Sequence, residues 1–344
     1  MKPPSPLLAA AAGLAALAAS PAGAQTRPVP LAWADSQTPS AVAAPAVLPA
    51  LQATPAIHST LRRDDGRVAA VAYRLARAGR ALCPVAYPLT GLLFHHLAEY
   101  ELKDRPLMIG RYGLDRGPGI LTVLTGTPAA AAGLAAGDVL VSVNGRAFPS
   151  PTRIAAEPKR KTWRPMLEQS EALLETALQA GPVRLSVLRE GRALDLQLGS
   201  EPGCVGRVRL ARSTQMNAFS LRNYVVMTTA MLGYVRGEDE LAVVLGHELS
   251  HSILGHEGVR DEEGILAGLG IKPSAVWKRE AAADRLGLRL MAAAGYNLDA
   301  AIPFWDRYLR QYDWFPQIFR SHPSRGARAR IASEEIAAIR AGRP

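Results

Sequence analysis

Cysteine is scarce in this chain. Two occur in 344 residues, Cys83 and Cys204, which leaves room for a single disulfide. No cysteine follows the apolar run near the N-terminus, and this excludes a bacterial lipid anchor there. Beyond that run no stretch approaches the roughly 20 apolar residues that span a bilayer, so no transmembrane segment is expected in the mature chain. Aromatic residues make up only 6% and are not interleaved with the basic ones. The net charge of +10 is spread along the chain, so a nucleic-acid surface is not expected. Solubility, or attraction to anionic envelope components, accounts for the charge equally well.

The N-terminus reads as an export signal. Met1-Lys2 precedes an apolar run at 7–19, and Ala22-Gly23-Ala24 offers a cleavage site before Gln25. Residues 1–24 are therefore expected to be a signal peptide and the protein to be periplasmic or otherwise exported. An uncleaved anchor is the alternative. Residues 25–56, rich in Pro and Ala and almost without charge, read as a flexible lead-in.

The most informative pattern is His247-Glu248-Leu249-Ser250-His251. Residues four apart on an α-helix differ by about 40° in direction and about 6 Å along the axis. Two imidazoles so placed can grip one metal ion, with Glu248 beside them to take a proton from water activated by it. Leu241, Leu245 and Leu249 recur at helical period, and Asp239 is the expected N-cap. The alternative is a buried helix with two structural histidines. His256 lies five residues after His251, where three-histidine sites need six. On a continuing helix it would point about 180° from His247, so it is read as a surface or core residue rather than a ligand.

A third ligand is available downstream. A second helix is expected over 274–294, closing at Gly295, and it carries Glu280 and Asp284 at i and i+4 on one face. Glu280 can bind the metal while Asp284 receives the free ring N–H of a ligating histidine. Taken alone, the two carboxylates also fit an ordinary solvated pair.

H-E-L-S-H followed by Glu280-Ala281-Ala282-Ala283-Asp284 resembles the HExxH…ExxAD gluzincin metallopeptidases related to HtpX, BepA and the CAAX prenyl proteases. Asn217-Ala218-Phe219, Ala294-Gly295-Tyr296-Asn297 and Ser321-His322-Pro323-Ser324 with Arg328 extend the resemblance over 201–340. It implies one Zn²⁺ per chain held by His247, His251 and Glu280, with Glu248 as general base. It also implies a positive partner for the oxyanion, His322 or Arg328. Tyr224-Val225-Val226-Met227-Thr228 reads as an edge strand on which an extended substrate could pair its backbone.

Upstream, 61–79 is an amphipathic helix with Val68, Val71, Ala72 and Leu75 on one side. Then Gly119-Ile120-Leu121-Thr122-Val123-Leu124, a short helix at 127–134, and Gly137-Asp138 leading to Asn144-Gly145 follow one another as in a bacterial PDZ domain. A helix at 166–178 and strands at 183–189 and 193–198 complete the resemblance; an unrelated small β-rich domain is the alternative. PDZ domains add a peptide as a strand and capture its C-terminal carboxylate in a loop, here expected at 109–114 with Gly110 and Gly113. The basic stretch 152–164 reads as an insertion without a legible purpose, and His95-His96 reads as a structural pair.

The expected organisation is an N-terminal helical part of the peptidase domain at 57–104, a PDZ-like insertion at 105–199, and the peptidase proper at 200–344. Cys83 and Cys204 bracket the insertion and are expected to form a disulfide in an oxidising compartment; two separately buried thiols are the alternative. The fold class is α+β: a mainly helical zincin-type domain with a small edge-strand sheet, plus the β-rich module. Two functions follow. One is a zinc endopeptidase acting on protein or peptide substrates. The other is a PDZ-based binding or chaperone-like envelope protein with a mainly structural metal site.

Overall fold

The computed structural model describes residues 55–151, 159–221, 224–256, 273–311 and 323–343. The leader at 1–24, nearly all of the lead-in at 25–56, residues 152–158 and His322 lie outside these. Helix α1 (Pro55–Ala78) presents Val68, Val71, Ala72 and Leu75, all buried, to a core they share with Leu241, Leu245, Leu249, Leu290 and Met291. The spacing of these four residues is the reason: at 3.6 residues per turn they fall on one stripe.

A module is strung between the two halves of a stem. Strand β1 (Tyr87–Leu89) leads into β2 (Leu92–His95), α2 (Arg105–Tyr112), β3 (Gly119–Val123), α3 (Pro128–Ala131), β4 (Val139–Val143) and β5 (Arg146–Ala147). Helix α4 (Lys159–Gln179), β6 (Val183–Arg189) and β7 (Arg192–Leu198) follow, and β8 (Glu201–Gly203) pairs antiparallel with β1. The module's sheet runs β2-β3-β4-β6-β7 with β5 beside β4, around Phe94, Ile120, Leu140, Leu167 and Leu185. His95 and His96 are structural, as expected. His96 Nδ1 accepts the Ala98 N–H at 3.1 Å, and His95 Nδ1 lies 2.7 Å from the Tyr100 hydroxyl.

The expected carboxylate loop at 109–114 is corrected. Residues up to Tyr112 belong to α2, which Pro106 starts and Gly113 ends in the left-handed region, and Leu114 is buried with Leu97 and Met108. Amides used inside a helix and a side chain used in a core leave no loop to cradle an anion. β2 is one of the two outer strands on this path, β7 the other, and the cleft beside β2 is walled by Leu174 and Leu178 of α4.

Beyond the stem, β9 (Arg207–Ala211), β10 (Ala218–Leu221) and β11 (Tyr224–Thr228) form a second sheet in the order β10-β11-β9. The expectation of an edge strand at 224–228 is therefore overturned. β11 is central, antiparallel to β10 and parallel to β9, with all five residues buried. Tyr224 and Val226 pack into the module's core while Val225 and Met227 pack into the helical core. A strand buried on both faces reads as a continuous apolar run, which Tyr-Val-Val-Met is. This sheet is thus a layer common to both cores. The helical half follows as α5 (Thr229–Tyr234), α6 (Glu238–Ile253), α7 (Pro273–Ala293), α8 (Ala301–Arg310) and α9 (Arg325–Arg340). No helix of the described residues is long and apolar enough to cross a membrane.

Cys83 and Cys204 form a disulfide with their Cα atoms 5.6 Å apart, beside the β1–β8 stem. Closing a loop of 121 residues would stabilise by up to about 5 kcal/mol through the entropy of the unfolded chain. Reduction, or Cys83→Ala with Cys204→Ala, is expected to lower the thermal midpoint, and non-reducing peptide mapping should recover a Cys83–Cys204 peptide pair. Two free thiols in the native protein would contradict this.

Candidate metal centre

Helix α6 begins with Glu238, Asp239 and Glu240 in its first turn, where the helix dipole favours negative charge. The N-cap is Gly237, not Asp239. Asp239 instead accepts the Asn297 N–H at 2.9 Å, tying the start of α6 to the turn after α7. Leu241, Leu245 and Leu249 are buried in the helical core, and the neighbouring face carries His247 and His251 toward α7.

Two glycines let these helices meet backbone to backbone. A Cβ on Gly246 would lie 3.1 Å from the Gly287 carbonyl oxygen, and one on Gly287 would lie 3.0 Å from the His247 nitrogen. Because Gly246 adjoins His247, and Gly287 is one turn from Asp284, the close approach delivers the imidazole to the carboxylates of α7.

The donor set fits zinc. Ligand atoms about 2.0–2.2 Å from a tetrahedral Zn²⁺ stand about 3.3–3.6 Å from one another. Here the two Nε2 atoms of His247 and His251 are 3.2 Å apart. Glu280 oxygens lie 3.4 Å from His247 Nε2 and 3.5 Å from His251 Nε2. All three side chains are buried, and among the described residues they are the only group of His, Cys, Asp and Glu that offers such a cluster. Glu248 follows His247 on the same turn and is itself buried.

Supporting groups fix the rings. Asp284 Oδ1 is 2.9 Å from His247 Nδ1, so the carboxylate accepts the Nδ1–H hydrogen bond and turns Nε2 with its lone pair toward the cluster. Arg328 of α9 clamps Asp284 with two hydrogen bonds, Nε to Oδ2 at 2.8 Å and a terminal nitrogen to Oδ1 at 2.6 Å. Its guanidinium lies 3.6 Å over the Trp305 ring and is 2% exposed. Arg328, expected as one of two partners for the oxyanion, is placed on Asp284 instead, and the terminal nitrogen that bonds Oδ1 also lies 3.1 Å from His247 Nδ1. His322, the other candidate, lies outside the described residues.

The field at the centre favours positive charge. Burial alone would push the Asp284 carboxyl up, but Arg328 and His247 outweigh it and hold it at about 2. Burial and Arg328 oppose a proton on His247, yet Asp284 and Glu280 outweigh them and raise its pKa to about 9. A proton and a metal ion compete for the same Nε2.

Residues 197–272 and 275–336 match the family model of peptidase family M48, and 119–156 match that of the PDZ domain. The M48 match thus falls in the part of the chain that follows the module. It is also similar to the mitochondrial metalloendopeptidase OMA1 of Bos taurus, 28% identical over 160 residues, which cover 36% of this chain and 31% of that protein. The chain thus spans about a third of the curated relative it matches. The M48 match contains the whole donor set as well as Asp284 and Arg328.

Sequence reasoning placed His247, Glu248, His251, Glu280 and Asp284 together but missed two partners of the candidate centre. Trp305, beneath Arg328, carries no periodic or motif signal. His256 lies with its Nδ1 3.0 Å from His251 Nδ1; the Gly255 before it was the available sign that the helix stops there. Removing one member of a buried ion pair strands the other, typically at about 3–5 kcal/mol. Arg328→Met is therefore expected to destabilise the fold by that amount in denaturant titration. A loss below 1 kcal/mol, a value typical of exposed pairs, would show that Asp284 does not depend on it.

Proposed function

We propose that this chain is a zinc-dependent endopeptidase that hydrolyses peptide bonds in unfolded or flexible segments of exported proteins. The observation that carries the reading is the convergence of His247, His251 and Glu280 at tetrahedral ligand spacing with Glu248 on the same helical turn. Zinc, when bound, would polarise the scissile carbonyl and bring the pKa of a water molecule toward neutrality. Glu248 takes the proton of the attacking water and passes it to the leaving amine. Asp284, held by Arg328, keeps the His247 ring from turning. The oxyanion role is assigned to His322 by its place in Ser321-His322-Pro323-Ser324.

The substrate would add to β10 rather than to β11, since β10 is an outer strand of its sheet and packs against α6. Backbone pairing engages no particular side chain, which favours extended segments over one sequence. The PDZ-like module is read as an insertion into the peptidase domain. In support, α1 shares its core with helices that follow the module, and the β1–β8 pair and the disulfide close the stem. A substrate chain end would add to the outer edge of β2, where the cleft opens. The Cys83–Cys204 disulfide supports an oxidising compartment such as the periplasm.

A binding or chaperone-like role with a structural metal site is the weaker reading. A closed structural site has no use for a carboxylate base beside it. The deciding assay uses an unfolded protein substrate and measures zinc content in parallel. Glu248→Gln should retain one zinc and lose activity by about 10²–10⁴-fold, and chelation of the wild type should abolish cleavage. Equal, metal-independent activity in both proteins would discard the enzymatic reading.

A further inference from the structure

The last residue of the ligand helix segment has a contact that the mechanism above does not use. Helix α6 does not continue to His256. It ends at Ile253, Leu254 caps it, and Gly255 adopts a left-handed φ of 66°. The His256 N–H then donates to the His251 carbonyl at 2.9 Å, and the Gly255 N–H to the Ser252 carbonyl at 3.3 Å. These are the paired bonds of a Schellman termination, which folds the second residue past the cap back over the last turn. That residue is a histidine, and its ring lands on the ligand ring. The two Nδ1 atoms are 3.0 Å apart, with centroids 5.2 Å apart and planes at 62°.

We propose that His256 is a positioning residue for the metal centre: its Nδ1 accepts the Nδ1 proton of His251 and so holds the His251 Nε2 lone pair toward His247 and Glu280. The inference rests on the reading of His251 as a ligand. A neutral imidazole that coordinates through Nε2 carries its proton on Nδ1. Two ring nitrogens at hydrogen-bond distance require one donor and one acceptor, so His256 must be neutral with its proton on Nε2. Asp284 and His256 then do the same work on the two imidazoles, one through a carboxylate and the other through a ring. The turn is what makes this possible, because on an unbroken helix His256 would face the opposite side.

The test is the zinc affinity of the full mature chain, measured in competition with a chromophoric chelator, together with the visible absorption of the cobalt-substituted protein. Loss of such a partner costs about 10–100-fold in metal affinity. His256→Ala should show that loss and an altered cobalt spectrum. His256→Asn, whose amide oxygen stands near the lost Nδ1, should recover most of the affinity. Gly255→Ala keeps the imidazole but strains the turn, and should weaken binding as well; it reports independently if His256→Ala fails to fold. His256→Ala binding zinc as tightly as wild type would overturn the proposal, as would equal weakening by Ala and Asn. A wild type that binds no zinc would instead overturn the metallopeptidase reading, and this inference with it.

Discussion

Three donor atoms from two helices must arrive within one coordination sphere, and everything at the centre depends on the backbone contact of α6 with α7. Gly246 and Gly287 permit it, and the His247 nitrogen lies within the same contact. The approach gathers buried charge. Glu248, Glu280 and Asp284 are all buried around the two imidazoles, and Arg328 is the buried cation on Asp284. Uncompensated carboxylates at such depth cost several kcal/mol each. One guanidinium balances one of the three carboxylates, and a divalent ion, when bound, would balance the other two.

The sheet formed by β10, β11 and β9 couples this centre to the PDZ-like module. Its alternate residues enter opposite cores, so one strand packs into both. Ion pairs reinforce the joint: Arg209 contacts Glu171 at 2.6 Å, and Arg207 is paired with Glu175, both across to α4. The same segment, from Val205 to Arg209, lines the cleft beside β2. A chain end entering that cleft would meet the root of the sheet whose far edge, β10, packs against the ligand helix.

Much of the centre was legible because local periodicity encodes it. H-E-x-x-H and Glu280 with Asp284 are both i, i+4 patterns, and a helix converts that spacing into a shared face without help from the rest of the fold. The leucines of α6 and the stripe of α1 were readable for the same reason. Errors occurred where position depends on distant chain. Tyr224–Thr228 is a short apolar run, which fits a strand buried on both faces, but its partners β9 and β10 lie on either side of it in space and no local rule displays that pairing. Residues 109–114 contain glycines that suggest a loop, but the helix started at Pro106 claims them. Arg328 reaches Asp284 from a helix 44 residues on, and no local rule couples the two. His256 was judged on an unbroken helix, and Gly255 breaks it.

The central claim is that one zinc ion sits between His247, His251 and Glu280. Anomalous diffraction at the zinc absorption edge, from crystals of zinc-loaded protein, tests it most directly. The expected result is a single strong peak about 2.0–2.2 Å from both Nε2 atoms and a Glu280 oxygen. A fully loaded protein whose peak lies elsewhere, or is bound by only one of these three side chains, would contradict the account.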